Sequence, residues 1–243
     1  MEVRRFYAPP DAIKDSAGVL DESETHHLRD VLRLSAGDEI QVFDGKGGEF
    51  RCKVVKIERL KTHFSVLEPS QPGSPESPLD LEIASVLLKG DKLDTVVQKA
   101  AELGVRRFFP LISTRCDVRP EGINKRIQRW RRIALEATKQ CGRAYLMEIA
   151  GLQKLEDLFK SPPAGNEMRV MFSERAGKEF NRIKSAAKIT AIFGPEGGWD
   201  DRELEMALSH RINVITLGGR IMKADTAAIA ISAILQNRFG DLN

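Results

Sequence analysis

Four prolines fall within ten residues, Pro69, Pro72, Pro75 and Pro78, and they divide the 243-residue chain. Proline has no backbone N–H and a fixed φ, so this stretch continues neither a helix nor a central strand. It reads as a linker over residues 71–79, joining a domain of residues 1–70 to a larger one of residues 80–243. Each piece is long enough to bury a core of its own.

The two pieces carry different periodicities. Before the linker, Glu39–Gly45 alternates apolar and polar residues, and Gly45, Gly47 and Gly48 separate it from a second alternating run, Glu49–Leu60. That pattern predicts a hairpin. His63–Glu68 supplies a further strand. Ser23–Leu34 reads as a helix with Leu28, Val31 and Leu32 on one face. A small β-barrel with one helix is the natural architecture. After the linker, strands are predicted at Leu81–Leu88, Arg107–Ile112, Leu146–Ile149, Arg169–Phe172, Ile189–Phe193 and Val214–Leu217, with helical stretches between most of them. Strands that alternate with helices indicate an α/β domain with a mostly parallel sheet. Asp91 and Asn124 are the expected N-caps of two of its helices, and Asp225 or Thr226 that of the last. The last helix, about Asp225 to Arg238, is apolar nearly all round and is expected to be buried.

Composition narrows the function. Apolar residues make up 42% and charged residues 30%, the balance of a globular chain. Aromatics are only 6%, which disfavours a single-strand binder built on stacked rings. Between Arg106 and Arg143 eleven Lys or Arg residues face three acids, whereas residues 1–70 hold eleven basic and thirteen acidic residues. A concentrated positive segment suits a polyanion. Cys52, Cys116 and Cys141 are widely spaced and the four histidines form no ligand cluster, so no metal site and no disulfide framework is expected. The opening MEVRRFYAPP has no apolar signal core and no run is long enough to span a membrane, which points to the cytoplasm.

Two glycine-rich turns each follow an apolar strand. In Ala191–Glu203, Gly194, Gly197 and Gly198 allow close backbone approach to a ligand, and Asp200 and Glu203 stand at capping-box spacing. In Val214–Ala227, Gly218 and Gly219 repeat the arrangement. Ligands of α/β sheets bind beyond the carboxyl ends of the strands, where both turns fall. Neither turn has the spacing of a phosphate-binding loop or of a dinucleotide fingerprint.

These segments carry a resemblance. GPEGG (Gly194–Gly198) with LGGRIMKADTA (Leu217–Ala227) resembles the paired signature of the knotted SPOUT-class methyltransferases. Lys89–Val105, Arg129–Arg143 and Thr25–Gly47 are similar to segments of one branch, the small-subunit ribosomal RNA uridine-N3 methyltransferase family. The family's usual Leu-Arg-x-Glu-Thr-Ala stands here as Met222–Ala227 with Lys223 and Asp225, which keeps the charge at both ionic positions.

The resemblance implies a PUA-like RNA-binding barrel followed by a SPOUT domain with a C-terminal trefoil knot. It implies a cytoplasmic homodimer acting on ribosomal RNA. S-Adenosylmethionine would be held by Phe172, Ser173, Glu174, Gly194, Pro195, Glu196, Gly197, Gly198, Leu217, Gly218, Ile221, Met222, Thr226 and Ala227. Arg220 and Lys223 would face the charge developing on the uridine, with Glu196 or Asp225 as a candidate proton acceptor. Arg4, Arg5, Arg115, Arg129, Arg132 and Arg143 would contact RNA phosphates, the last four alternatively serving as partners across the dimer. Two alternatives are a non-catalytic RNA-binding ribosome-assembly factor and an enzyme of the same class that methylates a ribose 2′-hydroxyl.

Overall fold

The computed structural model describes residues 4–242, with every side chain among them except that of Arg182. The chain forms two compact units. One comprises the residues up to Glu76 together with Thr138–Leu146, and the other Ser77–Ala137 with Met147 onward. The first unit is therefore discontinuous in sequence, unlike the consecutive domains the linker implies.

In the first unit, β1 (Arg5–Tyr7), β2 (Ile13–Lys14), β3 (Ala17–Leu20), β4 (Glu39–Phe43), β5 (Glu49–Ile57) and β6 (Thr62–Ser70) form one curled sheet ordered β1-β4-β5-β6-β3-β2. Only β1 and β4 pair in parallel. The predicted hairpin is β4–β5. The Asp44 carboxylate accepts from the amides of Lys46 (2.7 Å) and Gly48 (2.9 Å), and Gly45 and Gly47 take φ of 73° and 104°. Phe6, Leu20, Leu28, Val42, Val54 and Phe64 fill the core. The predicted helix over Ser23–Leu34 is shorter and differently wound. Asp21 caps α1 (Glu22–His26), and His27–Val31 then widens into a π turn. The wider turn rotates Val31 off the apolar face, leaving it 60% exposed while Leu28 stays buried.

The second unit holds β7 (Asp80–Val86), α2 (Lys92–Glu102), β8 (Arg107–Ile112), most of α3 (Ile123–Cys141), β9 (Glu148–Ile149), β10 (Gln153–Lys154) and α4 (Leu155–Lys160). Then come β11 (Met168–Phe172), β12 (Lys178–Glu179), β13 (Lys188–Phe193), α5 (Asp201–Ser209), β14 (Asn213–Thr216) and α6 (Ala224–Phe239). The strands order as β10-β8-β7-β13-β11-β14-β12, with β9 also on β8, and every one of these pairings is parallel.

Alternate side chains explain the layers. Leu81 and Ile83, Val170 and Phe172, and Ile189, Ala191 and Phe193 join the core beneath α2, α3 and α6. Ala84 and Val86, Met171 and Ile192 face the opposite core with α4 and α5. Both faces are covered, as a parallel sheet requires.

Of the predicted caps, one keeps its position without a side-chain bond and two move. Asp91 stands at the N-cap of α2 without a side-chain bond to the helix, and its carboxylate faces Arg129 instead. Asn124 lies inside α3, which starts at Ile123. Lys223 is the N-cap of α6, and Asp225 lies in its first turn.

Candidate active site

The sheet order sets the site. β11 lies between β13 and β14, so the turns leaving these three adjacent parallel strands emerge side by side at their carboxyl ends. Together with the first turn of α6 and Lys92 of α2 they enclose a pocket of about 700 Å³, within the usual range for small-molecule sites.

The pocket gathers nearly all the residues expected from sequence. Phe172, Ser173, Glu174, Gly194–Gly198, Leu217, Gly218, Ile221, Met222 and Ala227 line it, and so do Arg220 and Lys223. Thr226 does not: it lies on the first turn of α6 and is exposed. The lining also includes Lys92, Phe193, Trp199, Thr216, Gly219, Ala224 and Ile231. Phe193 and Trp199 flank the first glycine turn and were legible as its neighbours. Lys92 lies far away in sequence, and no local signal marks it.

The glycines serve two different purposes. A Cβ on Gly194 would meet the Trp199 ring at 2.9 Å, and one on Gly198 would meet the Glu174 carboxylate at 2.9 Å, where φ is also +69°. Those two glycines let the protein pack against itself. Gly197 would place a Cβ 3.6 Å from that of Arg115, an ordinary contact. Gly218 and Gly219 are the open ones: both line the pocket, and nothing lies within 4 Å of a Cβ added to either, although φ at Gly219 is +99°.

Buried polar contacts weld the turns together. The Trp199 indole N–H donates to the Phe172 carbonyl (2.8 Å), joining the turn after β13 to the end of β11. Arg175 donates to the Trp199 carbonyl (2.9 Å) and pairs with Asp201 (2.6 Å). The amide of Ser173 donates to the Ile215 carbonyl (3.0 Å). The capping box at Asp200 and Glu203 is present. Glu203 is buried, and its second oxygen accepts from the Thr114 amide (2.7 Å), which ties in the end of β8.

Charge is divided between locked and free groups. Glu196 accepts from the Lys92 ammonium (2.8 Å) and the Lys89 amide (3.3 Å). Partial burial alone would raise its pKa, but the Lys92 hydrogen bond and the Lys89 amide outweigh it and hold the carboxyl below its usual range. Arg220 and Lys223 are exposed on the pocket lining, with no ion-pair partner among the described residues. Asp225 has one carboxylate oxygen buried without a hydrogen-bond partner among the described residues.

The arginines expected on RNA divide sharply. Arg5 is buried in the first unit. It pairs with Glu49 through two hydrogen bonds (3.0 and 2.7 Å) and donates to the carbonyls of Thr138, Lys139 and Arg143. Arg143 is 3% exposed and pairs with Glu76 (2.8 Å). Both are internal struts whose donors are spent on carboxylates and carbonyls, so neither presents its guanidinium to a phosphate. Arg115 donates to the Gly197 carbonyl (3.4 Å) and to Asp200 (3.2 Å), so it braces the first glycine turn from behind. Arg4 and Arg132 are exposed, and Arg129 is exposed while pairing with Asp94.

Comparison with known proteins gives the same picture. The model of an RNA methyltransferase domain matches residues 75–236. That of an RNA methyltransferase PUA domain matches residues 20–67. The ribosomal RNA small subunit methyltransferase E of Rickettsia conorii is 33% identical over 98% of this chain and 96% of its own. The Synechocystis protein of that name is 30% identical over 96% of this chain and 78% of its own. The crystal structure of the Neisseria gonorrhoeae protein of that name, bound to S-adenosyl methionine, superposes with a TM-score of 0.89 at 29% identity, covering all of both chains. By fold and by sequence over nearly all of its length, this chain belongs to the ribosomal RNA small subunit methyltransferase E family.

Proposed function

We propose that the protein transfers a methyl group from S-adenosylmethionine to N3 of a uridine in 16S ribosomal RNA, acting in the cytoplasm as a homodimer. One observation carries the reading: three adjacent strand ends converge on one pocket that the Gly218 backbone leaves open. The relatives' names give the small-subunit ribosomal RNA as substrate, and the neisserial structure has the methyl donor bound.

The residues present fit that donor. Phe193, Met222 and Ile231 supply apolar walls, and the glycine turns supply backbone donors and acceptors. Bound there, S-adenosylmethionine provides an electrophilic methyl on a sulfonium. On the wall, Glu196 pairs with Lys92. That ion pair makes Glu196 a poor proton acceptor, so its role is to fix the loop. Loss of the uridine N3 proton puts negative charge on the flanking carbonyl oxygens. Arg220 and Lys223, unpaired and on the lining, are the cations placed to stabilise it. Lys223 acts as a point charge and not as a bidentate fork. Arg4, Arg129 and Arg132 remain as phosphate contacts.

The trefoil knot and the homodimer belong to the same proposal. Ala227 and Ile231 of α6 line the pocket with the turns after β11 and β13. Ile221 at 85% exposure and Ile234 at 40% are apolar groups for a second copy to cover. No described helix is long and apolar enough to cross a membrane. The N-terminal sheet, residues 1–70, is the RNA-binding domain of this reading, and residues 80–243 the catalytic one.

The test is labelled methyl transfer to small ribosomal subunits from cells lacking the protein, with mass spectrometry of the nucleosides. The expected product is 3-methyluridine. A ribose-methylated nucleoside overturns the position. RNA binding without incorporation makes the protein an assembly factor.

A further inference from the structure

Residues 1–70 hold more acids than bases, so their overall balance marks no cationic surface. The fold makes one. The Arg29 guanidinium donates to the carbonyl of Arg59 (3.0 Å), holding the π turn against the turn that joins β5 to β6. That second turn is closed by the Glu58 amide on the Lys61 carbonyl (2.8 Å). The acids on this surface are consumed: Asp30 takes two hydrogen bonds from Arg29 (2.7 and 2.6 Å), and Glu58 pairs with Lys56 (2.7 Å). His26 stands 3.6 Å from Asp30 and His63 3.8 Å from Glu58, adding no negative charge. Arg33, Arg59 and Lys61 are exposed and have no ion-pair partner among the described residues.

Two features set this surface apart from an ordinary solvated face. Arg33 ends the π turn in the left-handed region at φ +54°, a conformation costly for a side chain of its size. π turns concentrate at functional sites. Val31 and Leu60, exposed at 60% and 49%, lie beside the cations.

We propose that Arg33, Arg59 and Lys61 form a phosphate-binding surface for the ribosomal RNA substrate, with Arg29 as the strut that holds its two turns together. The proposal rests on the RNA reading above and extends it to a face of the first unit that the sequence does not single out. Unpaired cations on a surface with no exposed aromatic ring among these residues suit backbone contact, which positions RNA without reading its bases.

The experiment compares the parent protein, the double variant Arg59→Glu with Lys61→Glu, and a charge-matched control, Lys14→Glu with Lys46→Glu. Both control lysines are exposed, and Lys46 lies in the turn at the other end of β5. Affinity for naked small-subunit ribosomal RNA and for assembled small subunits is measured across a salt series, alongside methyl transfer and S-adenosylmethionine affinity. The Arg59/Lys61 variant is expected to bind RNA at least tenfold more weakly and to lower the salt slope by about 2. Its KM for RNA rises, with kcat and donor affinity unchanged. Equal losses in the control overturn the proposal, because they reflect net charge alone. Loss of affinity for assembled subunits but not for naked RNA also overturns it, in favour of an acidic protein partner. If the parent transfers no methyl group, the enzymatic reading fails, and the RNA affinities still decide the surface.

Discussion

Arg115 shows what a residue type reveals and what it withholds. An arginine in a basic stretch reads as a phosphate contact, yet this one sits on the Gly197 carbonyl and on Asp200. Arg5 and Arg143 tell the same story more strongly, because each is buried against a carboxylate distant in sequence. Sequence supplies the cation, and only the fold supplies its partner. Arg115→Ala should therefore raise the dissociation constant for S-adenosylmethionine several-fold, consistent with loss of one or two charge-assisted hydrogen bonds behind the turn. RNA affinity and its salt dependence should stay close to parental values. A parental donor affinity with weakened, less salt-dependent RNA binding would return Arg115 to the phosphate role.

At the scale of elements, the capping box before α5 was legible because both of its contacts are local. Asp91 holds the predicted N-cap position without a side-chain bond, whereas Asn124 and both Asp225 and Thr226 lie inside their helices, because capping-type residues also occur in first turns. Glu203 extends the box beyond local reach, its buried carboxylate joining the Thr114 amide to the Asp200 amide. Glu203→Gln turns an NH2 group toward one of those donors and should cost about 2 kcal/mol. Urea denaturation reads this as a lower midpoint with an unchanged slope. An unchanged midpoint would show that the β8 end and the donor turn are not coupled through this side chain. The π turn at His27–Val31 was invisible for a related reason. Apolar spacing fits an α-helix there, and the extra residue in the turn leaves no mark in composition.

For the whole molecule, apolar strand runs alternating with helical stretches disclosed the α/β class, and β7, β11 and β13 are mostly apolar because both of their faces are buried. The prolines marked a change of architecture. They gave no sign that Thr138–Leu146 rejoins the first unit, an association made by Arg5 and by the bond from the Gly47 amide to the Ala144 carbonyl. The glycine turns announced a ligand site, but sequence could not say which glycine faces the ligand. Gly194 and Gly198 abut Trp199 and Glu174, whereas Gly218 opens on the pocket.

Calorimetric titration of S-adenosylmethionine into the purified protein and into Gly218→Val tests the pocket directly. The added side chain meets no neighbour within 4 Å of its Cβ, so the variant keeps the parental unfolding midpoint. The expected result is saturable binding to the parent and its loss in the variant. Equal affinity in both, or no binding to the parent, would contradict the assignment of this pocket to the methyl donor.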